Sequence, residues 1–367
     1  MKEVYVLGFF FTPFRANMSV LEYISQAKVM FLCHKSYLED LYGCTGELKE
    51  HIDMFDLRVP FMMDQEAEKV ARTMEGEEVK GKKKRKTPDE QYSFPQEVEL
   101  LRTRFEEAAS SCDTHFPGEP TPQDFRDNNR KMREAVKDLF STLNCVKLPS
   151  SGENTELKVI REGLLLLPPR CSFVTCDVAE LEHYNTGQVD IIVMDPPWGN
   201  RHVKRVRWST GYTMMADNDP CLASLPISTL LRPGGLVLAW CTNSPKHRAT
   251  LNECFATWDL HLEATWYWLK VTRHGHLVSD FSAGKQPYEV LMVGRRKGGD
   301  GTNGRSKASR IKVPEGLVMI SVPSAIHSHK PPLNEVLERL LLCQGTSGEE
   351  EAGNVLKGLD KLELFGR

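Results

Sequence analysis

The sequence predicts an α/β fold, a Rossmann-like open sheet with helices on both faces, preceded by a mainly helical region. Three observations lead there. Short apolar runs at 189–194 (VDIIVM), 236–241 (LVLAWC) and 290–294 (VLMVG) read as buried strands, because a strand covered on both faces carries near-continuous hydrophobic sequence. A helix end, the turn Arg232-Pro233-Gly234-Gly235 and the second of those runs follow one another as a helix–strand unit. The first run stops at Pro196-Pro197, where the missing N–H groups forbid both a helix and further ladder bonding. These signals begin near Leu157. The expected division is therefore an accessory region over 1–155 and an α/β domain over 156–367.

The chain has 367 residues, 40% hydrophobic and 26% charged, which suits one large or two ordinary globular domains. A formal net charge of −3 means that any nucleic-acid contact must rest on a local basic patch. The ten Cys are scattered without a C-x-x-C pair, which favours free thiols in a reducing compartment over zinc or disulfides. No apolar run approaches membrane-spanning length. Residues 4–14 (VYVLGFFFTPF) lie between Glu3 and Arg15 with no small-residue cleavage site, so a strand or helix start is expected there rather than a signal peptide.

Within 16–75, Leu21, Ile24, Val29 and Leu32 predict one amphipathic helix face, and the isolated His34 and His51 read as satisfied structural histidines. Residues 76–95 hold Lys82-Lys83-Lys84-Arg85-Lys86 and predict a solvated loop. Its basic run reads either as a nuclear-import signal or phosphate contact, or as an ordinary charged linker. Residues 97–109 predict a helix with Val98, Leu101 and Phe105 on one side. Residues 111–127, with Pro117, Pro120 and Pro122, read as a linker, and 128–143 as a second helix. The α/β pattern then opens with Leu164-Leu165-Leu166-Leu167 and with Ser172-Phe173-Val174 leading to Cys176-Asp177-Val178. An Asp just past a short strand accepts hydrogen bonds from a ligand amine or ribose, although a helix cap is its commoner use.

The cup after the first buried strand is the centre of the chemistry. Asp195 sits at a strand's carboxyl end, the edge where open α/β sheets bind ligands. An ionised Asp only accepts hydrogen bonds, and the prolines supply carbonyls without N–H groups. Trp198 offers a flat face for a base. A ring carrying an exocyclic NH₂ matches all three, and adenine N6 is the obvious one. Asp195 and a proline carbonyl, from Pro196 or Pro197, hold the amine and Trp198 stacks the base. Acceptors on both protons draw the nitrogen lone pair toward an electrophilic methyl group.

Beyond the cup, Asn200 and the loop 201–208 (RHVKRVRW) place Lys204, Arg205 and Arg207 at its mouth. This segment reads as a substrate-gripping loop against the plainer reading of a solvated charged loop. Trp258, Trp266, Tyr267 and Trp268 have the spacing of core aromatics. Residues 296–310 are Gly-rich and basic but lack P-loop spacing. His327 and His329 have no third metal ligand at hand. A helix is expected at 335–342, a polar insert at 344–353, and a strand ending in Gly366 at 361–367.

Asp195-Pro196-Pro197-Trp198, Cys176-Asp177-Val178, Trp268-Leu269-Lys270, Lys285-Gln286-Pro287-Tyr288-Glu289 and Ser328-His329-Lys330-Pro331 together resemble the MT-A70-like, DPPW-type adenine-N6 methyltransferases, over about residues 158–367. The resemblance implies a circularly permuted methyltransferase sheet, because the catalytic motif precedes the strand–Gly segment that lines the cofactor. It implies S-adenosylmethionine as cofactor, beside Cys176, Asp177 and Val178, with His329-Lys330 at its carboxylate and Glu363 and Arg367 nearby. It implies substrate contacts from Asn200, Lys204, Arg205, Arg207, Lys270 and Glu289, and no metal. The implied substrate is RNA, an adenosine or 2′-O-methyladenosine of a small nuclear RNA, with DNA adenine as the alternative. The family continues past the position of Arg367 with an Asn loop and a Trp-Gly-Asn segment over the ribose, so this chain is expected to be shortened there. A catalytically impaired nucleic-acid-binding form is the further alternative. A nuclear location is expected, with cytosol and mitochondrion left open, and neither a membrane nor an obligate protein partner.

Overall fold

The structure is a computed structural model and describes residues 3–10, 20–37, 54–77, 94–134, 147–148, 156–160, 163–167, 171–177, 181, 187–199, 220–281, 286–298, 306–325, 329–343 and 359–366. The strands are β1 Glu3–Phe10, β2 Val20–Ile24, β3 Val29–Leu32, β4 Lys147–Leu148, β5 Glu156–Ile160, β6 Gly163–Leu167, β7 Cys171–Asp177, β8 Val189–Asp195, β9 Leu231–Cys241, β10 Leu260–Lys270, β11 Tyr288–Arg296, β12 Val318–Ser321 and β13 Asp360–Gly366. The helices are α1 Asp64–Met74, α2 Pro95–Glu107, α3 Ala109–His115, α4 Pro122–Asp127, α5 Arg130–Glu134, α6 Pro220–Ala223, α7 Ile227–Leu230, α8 Pro245–Thr257 and α9 Leu333–Leu342.

An 11-stranded sheet runs β2-β3-β12-β10-β11-β9-β8-β13-β1-β7-β4, and β5–β6 form a separate hairpin. At its centre β9, β8 and β13 are parallel, while β11 is antiparallel between β10 and β9. The last strand in sequence, β13, therefore lies beside β8, with Phe365 opposite Asp195. This is the permuted order expected from the sequence. The α/β class is as expected too, and its reason is visible in the burial of the central strands. Ile191, Ile192, Val193 and Met194 are all buried, alternating between two cores. Met194, Val237, Ala239 and Val290 face α2, α3 and α8, through Val98, Leu101, Cys112, Leu251 and Phe255. Val193, Leu238, Trp240, Trp268 and Leu291 face α9, through Val336, Leu337 and Leu340.

Asp190 fixes the amino end of β8. It is buried, and its Oδ1 accepts Ser306 Oγ–H at 2.7 Å and Lys307 N–H at 3.1 Å. Its Oδ2 accepts Arg232 Nη1–H at 2.7 Å and Asp360 N–H at 2.9 Å. One carboxylate thus ties β8 to the start of β9, the start of β13 and the 306–310 turn. Arg232 completes the clamp on Asp360 at 2.8 Å. Gly235 passes so close that a Cβ there would lie 2.8 Å from the Asp190 carbonyl. The Pro-Gly-Gly turn is therefore a requirement of packing as much as of chain reversal.

The N-terminal third departs from expectation. Leu21, Ile24, Val29 and Leu32 lie on the hairpin β2–β3, not on a helix, and the turn is closed by Lys28 at φ 50°. β3 pairs in parallel with β12, so the hairpin extends the main sheet. The described residues within 1–155 are accordingly not a separate helical layer. They supply β1–β4 to the sheet, and α2 and α3 pack on its face. The expected helix at 97–109 is α2. The expected linker 111–127 holds the end of α3, and α4 with a capping box between Thr121 and Asp124. Of 128–143, residues 130–134 are helical as α5 and 135–143 lie outside the described residues, as do the basic run 82–86 and the insert 344–353.

Candidate active site

β8 ends at Asp195 because Pro196 and Pro197 cannot continue the ladder. The chain then folds back on itself, with Trp198 N–H donating to the Pro196 carbonyl at 2.8 Å. Among the described residues, that carbonyl keeps one lone pair. The Trp198 indole is fixed twice. Its Nε1–H donates to the Trp240 carbonyl at 2.8 Å, and its ring stacks on His247, 5.0 Å between centroids and 19° from parallel. His247 lies in the first turn of α8, where its Nδ1 is 2.6 Å from Thr242 Oγ1. One Trp198 face is therefore taken by His247. A base would use the other.

Three further chains of sequence bring charge to Asp195. Glu289 stands on β11 opposite Trp268, and Lys270 ends β10. Lys330 comes from the segment that leads into α9 and is 8% exposed. Lys270 Nζ and Lys330 Nζ both bond Glu289, the latter at 2.6 Å, and Lys330 Nζ is 3.4 Å from Asp195 Oδ2. Both ammonium groups also lie over indoles, Lys270 at 4.4 Å from the Trp268 centroid and Lys330 at 5.5 Å from that of Trp240.

This arrangement splits the two carboxylates. Burial would raise Glu289, but Lys270 and Lys330 outweigh it and hold that carboxyl well below its usual range. Burial pushes Asp195 up to about 6, against the pull of Lys330 and with Glu289 adding to the rise. Lys330 is held above its ordinary value: burial works against its charge, and Asp195 and Glu289 overcome it. Asp195 is thus ionised at neutral pH yet basic for a carboxylate. Such a group accepts hydrogen bonds and takes up a proton readily.

The sequence profile of the MT-A70 family matches residues 189–367, the segment that carries Asp195, Lys270, Glu289 and Lys330. Residues 189–367, just under half of the chain, are thus similar to the MT-A70 family. Among curated relatives, the N(6)-adenine-specific methyltransferase METTL4 of Mus musculus is 37% identical over 198 residues, 53% of this chain and 41% of the relative. A "DNA N6-methyl methyltransferase" of Caenorhabditis elegans is 34% identical over 176 residues, 47% of this chain and 44% of the relative. An "N6-methyladenosine RNA methyltransferase MTA1" of Cryphonectria parasitica is 32% identical over 174 residues, 46% of this chain and 49% of the relative. The chain spans under half the length of each.

Within and around the MT-A70 segment, the expected site residues fall into four groups. Asp195, Pro196, Pro197, Trp198, Lys270, Glu289 and Lys330 come together at the carboxyl edge of the sheet, and His329, next to Lys330 in sequence, stacks on Phe55. Glu363 lies on β13 opposite Val193 and bonds Lys361, which in turn donates to Asn334 Oδ1 at 2.6 Å. Cys176 and Asp177 end β7, two strands from β13, and their side chains are not described. Val178, Asn200, Lys204, Arg205, Arg207 and Arg367 lie outside the described residues. No group of metal-binding side chains occurs among the described residues. Sequence reasoning missed Thr242 and His247, although Thr242 just past an apolar strand and His247 in the first turn of a Pro-initiated helix carried the signal.

Proposed function

We propose that this chain is an adenine-N6 methyltransferase that takes its methyl group from S-adenosylmethionine and acts on a nucleic acid. The observation that carries this reading is the acceptor Asp195 at the end of a buried parallel strand, with the Lys270–Glu289–Lys330 cluster behind it. The edge also fits a polar ligand: Trp240 Nε1 and Asn243 Oδ1, at the end of β9 and just past it, are buried and have no partner among the described residues. Lys330 is the residue that would hold the donor's carboxylate, since an ammonium has three protons to share. His329, Glu363, Cys176 and Asp177 would lie near it, with Val178 and Arg367.

When bound, the donor supplies an electrophilic methyl group. Asp195 accepts one N6–H and the free lone pair of the Pro196 carbonyl accepts the other. As the nitrogen acquires its new bond it becomes acidic, and Asp195 Oδ takes the departing proton. Lys330 and Glu289 keep the local charge balanced through that transfer. Trp198 and Pro197 wall the base in and exclude water.

The substrate we favour is RNA, an adenosine or 2′-O-methyladenosine of a small nuclear RNA, gripped by Asn200, Lys204, Arg205 and Arg207 with Lys270 and Glu289 at the base. The names of the fungal relative and the worm relative support RNA and DNA respectively, so DNA adenine is the second reading. The basic run 82–86, read as an import signal, is what supports a nuclear site of action. The test incubates the full chain with labelled S-adenosylmethionine and matched RNA and DNA oligonucleotides, and identifies the product nucleosides. N6-methyladenine that disappears in Asp195→Ala supports the reading. Label on any other atom overturns the mechanism, and binding of oligonucleotide without product identifies the impaired form.

A further inference from the structure

Two side chains from outside the 189–367 segment reach the back of the charged cluster. His34, 5% exposed, follows β3 and stacks on Trp268, 5.6 Å between centroids and 25° from parallel. Its Nε2 lies 2.9 Å from Ser321 Oγ, which also accepts the Trp268 Nε1–H at 2.7 Å. Phe55 lies 5.7 Å from His34 and stacks on His329 at 6.4 Å and 19°. His329 is bonded in sequence to Lys330. Trp268 meets Trp240 edge-on at 6.0 Å. The rings His329, Phe55, His34, Trp268 and Trp240 thus form one continuous chain of ring contacts, stacked at His329–Phe55 and His34–Trp268, tilted at Phe55–His34 and edge-on at Trp268–Trp240. Lys270 stands over Trp268 and Lys330 over Trp240.

Packing alone would be served by an apolar ring at position 34. A buried imidazole costs desolvation unless its hydrogen bond is used. Here that bond fixes Ser321, and Ser321 fixes the tilt of Trp268. Burial, with His329 and Lys270 adding to it, lowers His34 to about 3, and burial lowers His329 to about 4, so both rings are neutral at neutral pH and add no charge to the cluster.

We propose that His34 and Phe55 are positioning residues of the methyl-transfer site, holding Trp268 and His329 so that Lys270 and Lys330 stay on Glu289 and Asp195. The proposal rests on the reading of Asp195 as the proton acceptor. It makes the N-terminal third of the chain part of the active site. The groups that face Asp195 are Lys330 before α9, Glu289 on β11, Lys270 on β10 and Cys241 on β9, whose thiol burial pushes up to about 12. Glu363 on β13 is tied to Lys361. Of these, Lys330 is the one that opposes the effect of burial most, so loosening it moves the protonation midpoint of Asp195 upward.

The test uses the full chain with His34→Ala, Phe55→Ala, the conservative Phe55→Tyr, and Val59→Ala as a packing control in a separate core cluster. We expect His34→Ala and Phe55→Ala to lower kcat about tenfold with the oligonucleotide KM little changed, since a small misplacement of a catalytic group is costly. The acid-side midpoint of kcat rises in both. Phe55→Tyr restores the wild-type values, and Val59→Ala lowers the melting temperature without moving the midpoint. Folded His34→Ala and Phe55→Ala proteins with unmoved kcat and midpoint overturn the proposal, as does an equal shift in Val59→Ala. Difference infrared spectra against Asp195→Asn read the same carboxyl titration without turnover. If the wild-type chain proves inactive, that signal still shows whether His34 and Phe55 set the charge on Asp195, and separates failure of this proposal from failure of the functional reading.

Discussion

Asp195 is held in a state that favours chemistry over stability. A carboxyl raised to about 6 in the folded chain is ionised there at a cost, because the unfolded chain ionises it freely at its ordinary value of 3.8. The sign follows directly. Above about pH 6 the folded state carries the full penalty, and as pH falls toward 4 the penalty disappears. Asp195→Asn should therefore raise the melting temperature at pH 8, by on the order of 1–3 kcal/mol of stability, and the gain should shrink on acidification. The same variant should lose roughly a hundredfold or more in kcat. Thermal melts at pH 8 and pH 5, beside a methylation assay, check both; a melting temperature that falls at pH 8 would remove the strain argument. Glu289 predicts the opposite for stability. Its carboxylate neutralises two buried ammonium groups, so Glu289→Gln should cost about 3 kcal/mol, as breaking a buried ion pair does. Because Glu289 raises Asp195, its removal should also lower the pH at which activity falls off on the acid side. A pH–rate profile of any residual activity reads that shift.

At the scale of elements, the position of the cup depends on what happens at the far end of β8. Asp190 takes four hydrogen bonds that join three strand starts and one turn. Asp190→Ala leaves the Arg232 guanidinium with only Asp360 and frees two backbone N–H groups, so a loss of about 3–5 kcal/mol is expected in a denaturant titration. Gly235→Ala should also destabilise, since neither the Asp190 carbonyl nor the Arg232 carbonyl, at 2.8 and 2.9 Å from the new Cβ, can yield without moving a strand. These elements also show what a sequence can convey. β8, β9 and β11 were legible because continuous apolar runs bounded by Pro and Gly leave few other conformations. The turn after β8 was legible for the same reason, its shape being local. The hairpin β2–β3 was not, because VLEYI and VMFL fit helical and strand spacing equally well over so short a length, and only pairing of β3 with β12 decides between them. The charged cluster was legible residue by residue, but not as one network. Lys270 and Glu289 are cross-strand neighbours, whereas Lys330 arrives through α9 packing.

Across the whole molecule, the least legible contacts are those between the N-terminal third and the MT-A70 segment. Glu97, in the first turn of α2, forms a two-pronged ion pair with Arg248 in α8, with Nη2–Oε2 at 2.7 Å. The partners are 151 residues apart, and no spacing rule points from one to the other. Arg248 also lies 3.7 Å from the centre of the Phe94 ring and adjoins His247, which carries Trp198. The docking of α2 is therefore coupled to the Pro196–Trp198 loop through two neighbouring residues of one helix. Glu97→Ala in the full chain should cost about 3–5 kcal/mol, because the remaining guanidinium is buried without its carboxylate. A stronger test removes the region outright. A fragment of residues 156–367 loses β3 from the edge of β12, loses Val98 and Leu101 from the sheet face, and leaves Phe31 and Phe116 missing from the same core. Burial of each such side chain is worth about 1.5–3 kcal/mol, so their joint loss exceeds the margin by which an ordinary domain is folded. The fragment should show no cooperative thermal transition and should bind a hydrophobic dye, whereas two independent domains would leave it melting sharply. A sharp transition would mean that the sheet of the MT-A70 segment closes without its N-terminal strands, and that the shared core is an accretion on an already stable fold.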